Sequence, residues 1–267
     1  MTLTLNHPLP AEDMKFIQEH VPVNKLRNMY GIVTGATGWF GQWICAALDY
    51  MHCEYTRMDT RDLQPFQCDW LIHLAPRDST DLIALLNKTK VKHVLFMSSG
   101  SVYDEIPSEN CIEKRHNEDL FLKSDLPVNI TRGFSFIGAG IAQKDLAPGK
   151  FIKACLDGEL IRLINPSSIR TYMYMADMVV WTLNILLADK GNIYNMGADE
   201  PITISRLADT IYEKMRGKGV QLCIYPIEED PRPKYFPNLQ FAHEDLGLRV
   251  YTDLDTAIDK TIEWERL

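Results

Sequence analysis

A glycine-rich turn between a short apolar run and a helical pattern constrains the fold of this chain more than any other feature. Residues 30–34 form an apolar run with the character of a buried parallel strand. Three glycines follow at a spacing of three, at Gly35, Gly38 and Gly41. The apolar residues beyond them share one helical face, namely Phe40, Ile44, Ala47 and Leu48. Such a turn lets the backbone approach a pyrophosphate, which the free N–H groups of the first helical turn would bind. An ordinary tight turn is the alternative.

Size and charge narrow the class of protein. The chain has 267 residues, of which 46% are hydrophobic, enough for a sizeable core in one large domain or a two-lobed unit. The formal net charge of -8 argues against a general nucleic-acid binder, which would show a basic face. An anionic substrate remains compatible with this charge if a few arginines are focused in a cleft.

Cysteine usage and the start of the chain indicate a cytoplasmic protein. The six cysteines form no Cys-x-x-Cys pair, which favours reduced thiols and gives no sign of a metal site. Residues 1–10 lack the basic and long apolar regions of a secretory signal. No apolar run is long enough to span a bilayer, so we expect neither a membrane nor a nucleic acid as a partner.

The segment Thr34-Gly35-Ala36-Thr37-Gly38-Trp39-Phe40-Gly41 resembles the first turn of the extended short-chain dehydrogenase/reductases, the NAD-dependent epimerase/dehydratase group that acts on nucleotide sugars. The resemblance covers residues 30–267, with three internal shortenings, one of which removes an edge strand. It implies an α/β fold: a Rossmann-type parallel sheet with helices on both faces and a smaller C-terminal substrate lobe. It also implies NAD as cofactor, a nucleotide diphosphosugar as substrate and a possible homodimer.

The same resemblance divides the chain into three parts. Residues 30–140 would be the NAD-binding domain and residues 141–267 the substrate lobe, with residues 171–216 returning to the Rossmann sheet. Residues 1–29 precede the first strand as an N-terminal extension. Pro10 and the two acids that follow suit a helix start. We expect this extension to pack on the nucleotide domain, with a floppy leader as the alternative.

The resemblance places the cofactor contacts at Gly35, Thr37, Gly38, Trp39, Phe40, Gly41, Asp59, Thr60, Leu74, Ala75, Ser98 and Lys114. Asp59 follows the next predicted strand, at about the usual 20 residues from the turn, where an acid accepts hydrogen bonds from the adenosine ribose. Its carboxylate predicts NAD(H) over NADP(H), although Arg61 lies close in sequence, and a solvated turn acid is the alternative. His73 lies within an apolar strand and is expected to be a core histidine.

The catalytic residues depart from the family pattern. Ser99, four residues before Tyr103, matches the family's Ser-Ser-x-x-Val-Tyr, whose hydroxyl positions the reacting sugar oxygen; a serine that caps the strand end is the alternative. Lys114 matches the lysine of Tyr-x-x-x-Lys, but Asn110 stands at the tyrosine position. Tyr103 or a water must then supply the proton, or the chemistry is changed or lost. An ordinary surface lysine is the alternative for Lys114.

Besides Ser99, three residues are candidates for binding the substrate. Ser135 replaces the asparagine of the family's Arg-Pro-x-Asn-x-Tyr-Gly-Pro-Gly, which puts the usual sugar contact in doubt. Arg170 and Arg232 match the two arginines that bind the nucleotide diphosphate, with a solvated loop arginine as the alternative for Arg232. Asp177 is expected to cap a helix over residues 178–188. The sequence therefore leaves two hypotheses: a nucleotide-sugar oxidoreductase, and a protein that binds the same ligands without turnover.

The missing tyrosine yields a testable expectation. General acid–base assistance contributes roughly 10²–10⁴ in rate, so we expect Asn110→Tyr to raise, or at least not lower, any epimerase- or reductase-type activity. Steady-state assays of both forms with nucleotide sugars check this. A family-like rate in the unaltered protein, abolished by Tyr103→Phe, would instead show that the tyrosine has been relocated.

Overall fold

Parallel strands joined by helices make up most of the chain. The computed structural model describes residues 5–163, 165–189, 191–215 and 233–267, and the backbone of residues 222–224. The helices are α1 (Ala11–His20), α2 (Val23–Arg27), α3 (Trp39–Tyr50), α4 (Thr80–Leu86), α5 (Glu109–Leu122), α6 (Ala147–Asp157), α7 (Met175–Leu186), α8 (Ile204–Lys214), α9 (Gln240–Leu246) and α10 (Leu254–Glu265). None of these helices combines the length and the apolar character that a membrane span requires.

The strands are β1 (Gly31–Thr34), β2 (Tyr55–Met58), β3 (Trp70–His73), β4 (His93–Ser99), β5 (Val128–Gly133), β6 (Phe136–Ile137), β7 (Ile161–Leu163), β8 (Ile169–Arg170), β9 (Met173–Tyr174), β10 (Ile193–Met196), β11 (Ile202–Thr203), β12 (Leu222–Ile224) and β13 (Lys234–Tyr235). Six of them form one sheet in the order β10-β5-β4-β3-β1-β2. Every pairing in it is parallel, as between β1 and β3, where Gly31 pairs with Trp70. The predicted Rossmann-type sheet is confirmed. Among the described residues β2 is the last strand at its edge of the sheet, in agreement with the expected loss of an edge strand.

Two hydrophobic clusters cover the two faces of this sheet. Because successive side chains of a strand point to opposite faces, Ile32 and Val33 of β1 belong to different clusters. The Ile32 side also contains apolar residues of α4 and α5, and the Val33 side those of α3 and α7. Helices therefore cover both faces, as the resemblance implied.

The remaining strands form small sheets in the C-terminal part of the chain. One has the order β11-β8-β13, and the pairs β12-β7 and β6-β9 form the other two. They adjoin the carboxyl ends of the central strands, since β6 begins three residues after β5. The division of the chain into an extension, a nucleotide domain and a substrate lobe stays a prediction.

The N-terminal helix α1 is held by a buried polar contact as well as by apolar packing. Met14 and Ile17 are buried in the main cluster. The carboxylate of Asp13, only 1% exposed, accepts hydrogen bonds from Tyr174 Oη at 2.7 Å and from Lys260 Nζ at 2.5 Å. These contacts join α1 to β9 and α10.

Asp177 does not cap its helix, so that prediction was wrong. Helix α7 begins at Met175, two residues before Asp177, and its N-cap is Tyr174. The buried Asp177 carboxylate instead accepts hydrogen bonds from the backbone N–H groups of Tyr251 and Thr252, and from Thr252 Oγ1. Asp177 therefore binds a segment 74 residues away in the chain and not the N–H groups at the start of its own helix.

His73 is a core residue, as expected. Its Nδ1 lies 2.6 Å from Thr34 Oγ1 and its Nε2 lies 3.1 Å from Ser79 Oγ, and its ring stacks on Phe96. Burial, with a smaller contribution from the nearby Lys114 charge, lowers the pKa of His73 to about 3. The imidazole is therefore neutral in the folded protein at neutral pH and well below it.

This neutral histidine makes stability depend on pH. Because the folded-state pKa lies below the unfolded value of about 6.5, the unfolded state binds more protons between these pKa values, and stability falls as pH drops through that range. At pH 5 the loss relative to pH 7.5 is about 2 kcal/mol from this residue. Urea unfolding at both pH values measures the free energy of unfolding. We expect its loss at pH 5 to be smaller in His73→Asn than in the unaltered chain, whereas His20→Asn, which replaces an exposed histidine, should retain the full loss. An unchanged pH dependence in His73→Asn would contradict this assignment.

Candidate functional site

The glycine-rich turn brings the start of α3 against the ends of two strands. Gly35 has φ +69°, and a Cβ there would lie 2.9 Å from the backbone N of Ala75 at the end of β3. A Cβ on Gly41 would lie 2.3 Å from the carbonyl oxygen of Gly35. Both contacts are with backbone, so no side-chain movement relieves them. Glycine is therefore required at both positions for the helix to begin this close to the sheet.

The first turn of α3 is open to an anion. Gly38 is the N-cap and supplies no side chain to the first helical N–H groups. These groups and the helix dipole favour a negative charge at this end of the 12-residue helix. A groove of 410 Å³ opens beside the turn and is lined by five of the predicted cofactor residues, Gly35, Thr37, Asp59, Thr60 and Ala75. The turn, the uncapped amides and the groove fit a dinucleotide pyrophosphate and its adenosine.

Asp59 lies in this groove but its carboxylate is engaged by Arg61. The backbone N of Arg61 donates to Oδ1 at 2.9 Å, and Nε lies 2.9 Å from both carboxylate oxygens. Nη2 donates to Oδ2. These contacts hold the pKa of Asp59 at about 2, below its ordinary value, so the carboxylate is charged at any physiological pH. Arg57 and Arg77, which the sequence analysis did not select, line the same groove.

A second cavity of 530 Å³ lies on the other side of the turn, and its lining includes Trp39 and Phe40, predicted to contact the cofactor, and Ser135 and Arg170, predicted to contact the substrate. Three cationic side chains line it, Lys150, Arg162 and Arg170, and none of its described lining residues is a carboxylate. Seven aromatic side chains also line it: Trp39, Phe40, Phe134, Phe136, Phe151, Tyr172 and Tyr235. Cationic groups together with aromatic faces suit a phosphorylated ligand with a planar base.

Arg170 is fixed within this cavity by its surroundings. Its Nη1 donates to the carbonyl oxygen of Ile169 at 2.8 Å, and its guanidinium lies 5.8 Å from the centre of the Tyr235 ring. A guanidinium is the side-chain group suited to bidentate contact with a phosphate, so Arg170 is the residue of this cavity whose chemistry fits that task. Arg232, the other predicted diphosphate arginine, lies outside the described residues.

Ser98 and Ser99 end strand β4 at the carboxyl edge of the central sheet. Ser99 Oγ accepts a hydrogen bond from Ser101 N at 3.1 Å and caps the 3₁₀ turn Gly100–Tyr103. Capping uses the hydroxyl only as an acceptor, so its proton stays available to a ligand. Ser98 Oγ is buried and has no hydrogen-bond partner among the described residues. Leu74, at the equivalent end of β3, donates its backbone N–H to Thr34 O at 3.3 Å.

Lys114 is buried between α5 and the sheet and is not a surface lysine. It is 8% exposed, its Nζ donates to the carbonyl oxygen of Met97 at 2.8 Å, and its charge lies 5.0 Å from the Phe96 ring centre. Burial lowers the pKa of Lys114 to about 8, against an opposing effect of Glu113 and Glu118. One helical turn earlier, Asn110 is exposed. No phenol of α5 therefore accompanies the buried amine.

Tyr103 is held in a polar chain that the sequence analysis missed. Its hydroxyl accepts from Arg132 Nη1 at 2.8 Å and donates to Asn195 Oδ1 at 2.9 Å. Arg132 forms two further bonds to the buried Glu118, from Nε at 3.0 Å and from Nη2 at 2.6 Å. The chain thus joins α5, β5 and β10. The hydroxyl proton of Tyr103 therefore already has an acceptor in Asn195.

Comparison with known proteins bears on the fold. No protein-family model matches the chain, and no curated protein matches it by sequence. Among solved structures, UDP-glucose 4-epimerase of Thermotoga maritima with UDP-glucose superposes with a TM-score of 0.79 at 17% identity, over 89% of this chain and 99% of that one. WbmG of Bordetella bronchiseptica with NAD and UDP gives 0.76 at 16% identity, over 89% and 94%.

RMD of Pseudomonas aeruginosa, solved with NADPH, gives a TM-score of 0.74 at 18% identity, over 89% of this chain and 99% of that one. Identities this low establish the fold and nothing finer. The resemblance to the extended short-chain dehydrogenase/reductases is thereby confirmed at the level of the fold, over nearly the whole length of the structures compared.

Proposed function

We propose that this chain is an oxidoreductase of the nucleotide-sugar epimerase/dehydratase type, which binds NAD and a nucleotide diphosphosugar across the carboxyl ends of its central strands. The observation that carries the proposal is the arrangement of two openings around one helix start. The groove beside Gly35 suits adenosine and pyrophosphate, and the cavity beyond Trp39 offers three cations and aromatic walls. Two ligands would then meet near Ser99.

The residues have separate tasks in this proposal. The first turn of α3 binds the pyrophosphate of the cofactor, which when bound supplies reversible two-electron oxidation of a sugar carbon. Lys114 holds the nicotinamide ribose, and the Ser99 hydroxyl donates a hydrogen bond that positions the reacting sugar oxygen. Arg170, with Arg232 as the expected second arginine, binds the diphosphate. UDP-sugars are the first substrates to test, since two proteins of this fold were solved with them or with UDP.

Proton transfer is the step that this chain must perform differently from its family. Asn110 gives up no proton at neutral pH, and Tyr103 is engaged by Arg132 and Asn195. If Tyr103 is the acid, its hydroxyl must first break the hydrogen bond that it donates to Asn195. These two observations favour the second candidate function, binding of both ligands without turnover in a regulatory or partner-binding role. Both candidates require the same ligands, and a cytoplasmic location suits the buried thiols of either.

The proposal gives Arg170 a measurable role. We expect Arg170→Ala to weaken binding of UDP and UDP-glucose by about 1.5–3 kcal/mol, because a charge-assisted bidentate contact is lost, while NAD affinity is unchanged. Isothermal titration calorimetry measures the dissociation constants of both kinds of ligand. Arg206→Ala, which removes an exposed arginine of α8, is the matched control for loss of positive charge and should change neither affinity. Equal affinity in Arg170→Ala and the unaltered chain would refute the assignment of this cavity.

Lys114 provides a second test, directed at the cofactor. We expect Lys114→Ala to weaken NAD binding about tenfold or more, because the amine loses its contact with the nicotinamide ribose. Lys114→Met keeps the apolar stem and should weaken NAD equally, which separates the amine from packing. Lys123→Ala, at an exposed lysine paired with Asp119 on the same helix, is the control. If both Lys114 variants bind NAD normally, the alignment of α5 with the family helix is wrong.

A further inference from the structure

The outer edge of the central sheet carries unpaired backbone groups. Strand β2 is the last strand at this edge among the described residues. Gly31 of β1 donates its N–H to the carbonyl oxygen of Glu54, so alternate residues from Glu54 onward turn their backbone groups to β1. The N–H and carbonyl groups of Tyr55 and Arg57 therefore point outward, away from the sheet. An edge of this kind is a template for a further strand.

The side chains at this edge leave it open and supply complementary groups. Thr56 and Arg57 are exposed, with 58% of the Arg57 side chain accessible. Arg57 Nη2 donates to Asp49 Oδ2 at 2.8 Å, and Tyr55 Oη donates to Asp49 Oδ1 at 2.7 Å. The Arg57 guanidinium also lies 5.9 Å from the centre of the Tyr55 ring. A carboxylate, a guanidinium and an aromatic ring thus stand together beside the outward backbone groups.

One antiparallel register of two such edges suits both the backbone and the side chains. The two-fold axis must pass through a residue, because only then do outward-facing residues meet outward-facing residues. An axis at Thr56 places Tyr55 opposite Arg57 of the partner subunit, and Glu54 opposite the uncharged Met58 of the partner subunit. An axis at Arg57 would oppose two guanidinium groups. An axis at Tyr55 would pair the second half of β2 with residues that precede the strand.

We propose that this edge is a homodimer interface, in which β2 pairs antiparallel with β2 of a second copy of this chain. The occupant is a second copy because the two-fold axis brings complementary groups together: Arg57 of each chain would contact the Tyr55 ring of its own chain and face Tyr55 of the partner subunit. A charge on an edge strand commonly prevents pairing, but the Arg57 charge is already balanced by Asp49. The proposal does not depend on the nucleotide ligands.

Sedimentation velocity of the full chain over a wide range of concentrations measures this association. We expect an equilibrium between monomer and dimer. Arg57→Pro removes an outward N–H and leaves the inward donors to β1 in place, so the dissociation constant of the dimer should rise about tenfold or more. Arg57→Ala should also weaken the dimer, because the contact with the ring of the partner subunit is lost. Arg206→Ala, at an exposed arginine of α8, is the matched control for charge.

A disulfide cross-link tests the register itself. Thr56 would lie opposite Thr56 of the partner subunit in a pair without mutual backbone hydrogen bonds, where the Cα atoms are about 4.5 Å apart and within disulfide range. Mild oxidation of Thr56→Cys should therefore give a covalent dimer on a non-reducing gel. Thr256→Cys, at an exposed residue of α10, should stay monomeric, and the unaltered chain controls for its own cysteines, five of which are buried.

Three results would overturn the proposal. The first is a chain that stays monomeric at every concentration. The second is a dimer that Arg57→Pro and Arg57→Ala leave unchanged and that Thr56→Cys does not cross-link, which would place the interface elsewhere. The third is stronger association of Arg57→Ala, which would show that the Arg57 charge keeps the edge unpaired. None of these results bears on nucleotide binding, so the proposed function is tested separately by its own titrations.

Discussion

The contact between the Gly35 turn and the end of strand β3 is the constraint on which the rest of the site depends. The backbone of the turn lies so close to Ala75 that no side chain fits between them, and Gly41 lets α3 begin directly over the same turn. The helix start is thereby fixed at the carboxyl edge of the sheet, with its uncapped N–H groups toward the ligand side. Three other candidate residues are placed by the same edge: Asp59 follows β2, Ser99 ends β4, and Arg170 lies in strand β8 of a small sheet.

The distribution of charge is what makes an acidic chain suited to anionic ligands. The whole sequence carries a net charge of -8, yet the two openings around α3 are lined by six cationic side chains and one carboxylate. Low-dielectric walls concentrate the field of such groups within a cleft, whereas the excess of acids is spread over the solvated surface. Net charge alone argued against a general nucleic-acid binder, but it carried no information about these clefts.

The sequence predicted the fold well, because its signals are local. A buried strand, a glycine turn and an amphipathic helix occupy only some 20 consecutive residues, and the parallel sheet follows from repeating that unit. Five of its predicted cofactor residues line the groove, and two of its predicted substrate residues, Ser135 and Arg170, line the cavity. The cations that it missed, such as Arg77 and Lys150, stand in segments with no motif. They acquire a role only when the chain brings distant loops to one edge, which spacing does not reveal.

Contacts between side chains are what the sequence did not reveal about the rest of the site. The pairing of Asp59 with Arg61, two residues on, depends on the conformation of one turn. The engagement of Tyr103 by Arg132 and Asn195 depends on strands that are far apart in sequence and adjacent in the sheet. These contacts decide which groups are free to act on a ligand. The departures from the family pattern therefore concern the catalytic positions, whereas the glycine turn and the two openings to which we assign the nucleotides are present.

The central claim is that two nucleotide ligands bind at once, in separate openings on either side of the α3 start. Native mass spectrometry of the purified chain, incubated with NAD(H) or NADP(H) together with UDP-glucose and other nucleotide diphosphosugars, measures this directly. The account predicts a ternary complex with one dinucleotide and one nucleotide sugar per chain. Two binary complexes that exclude each other, or an absence of binding by either ligand class, would contradict it.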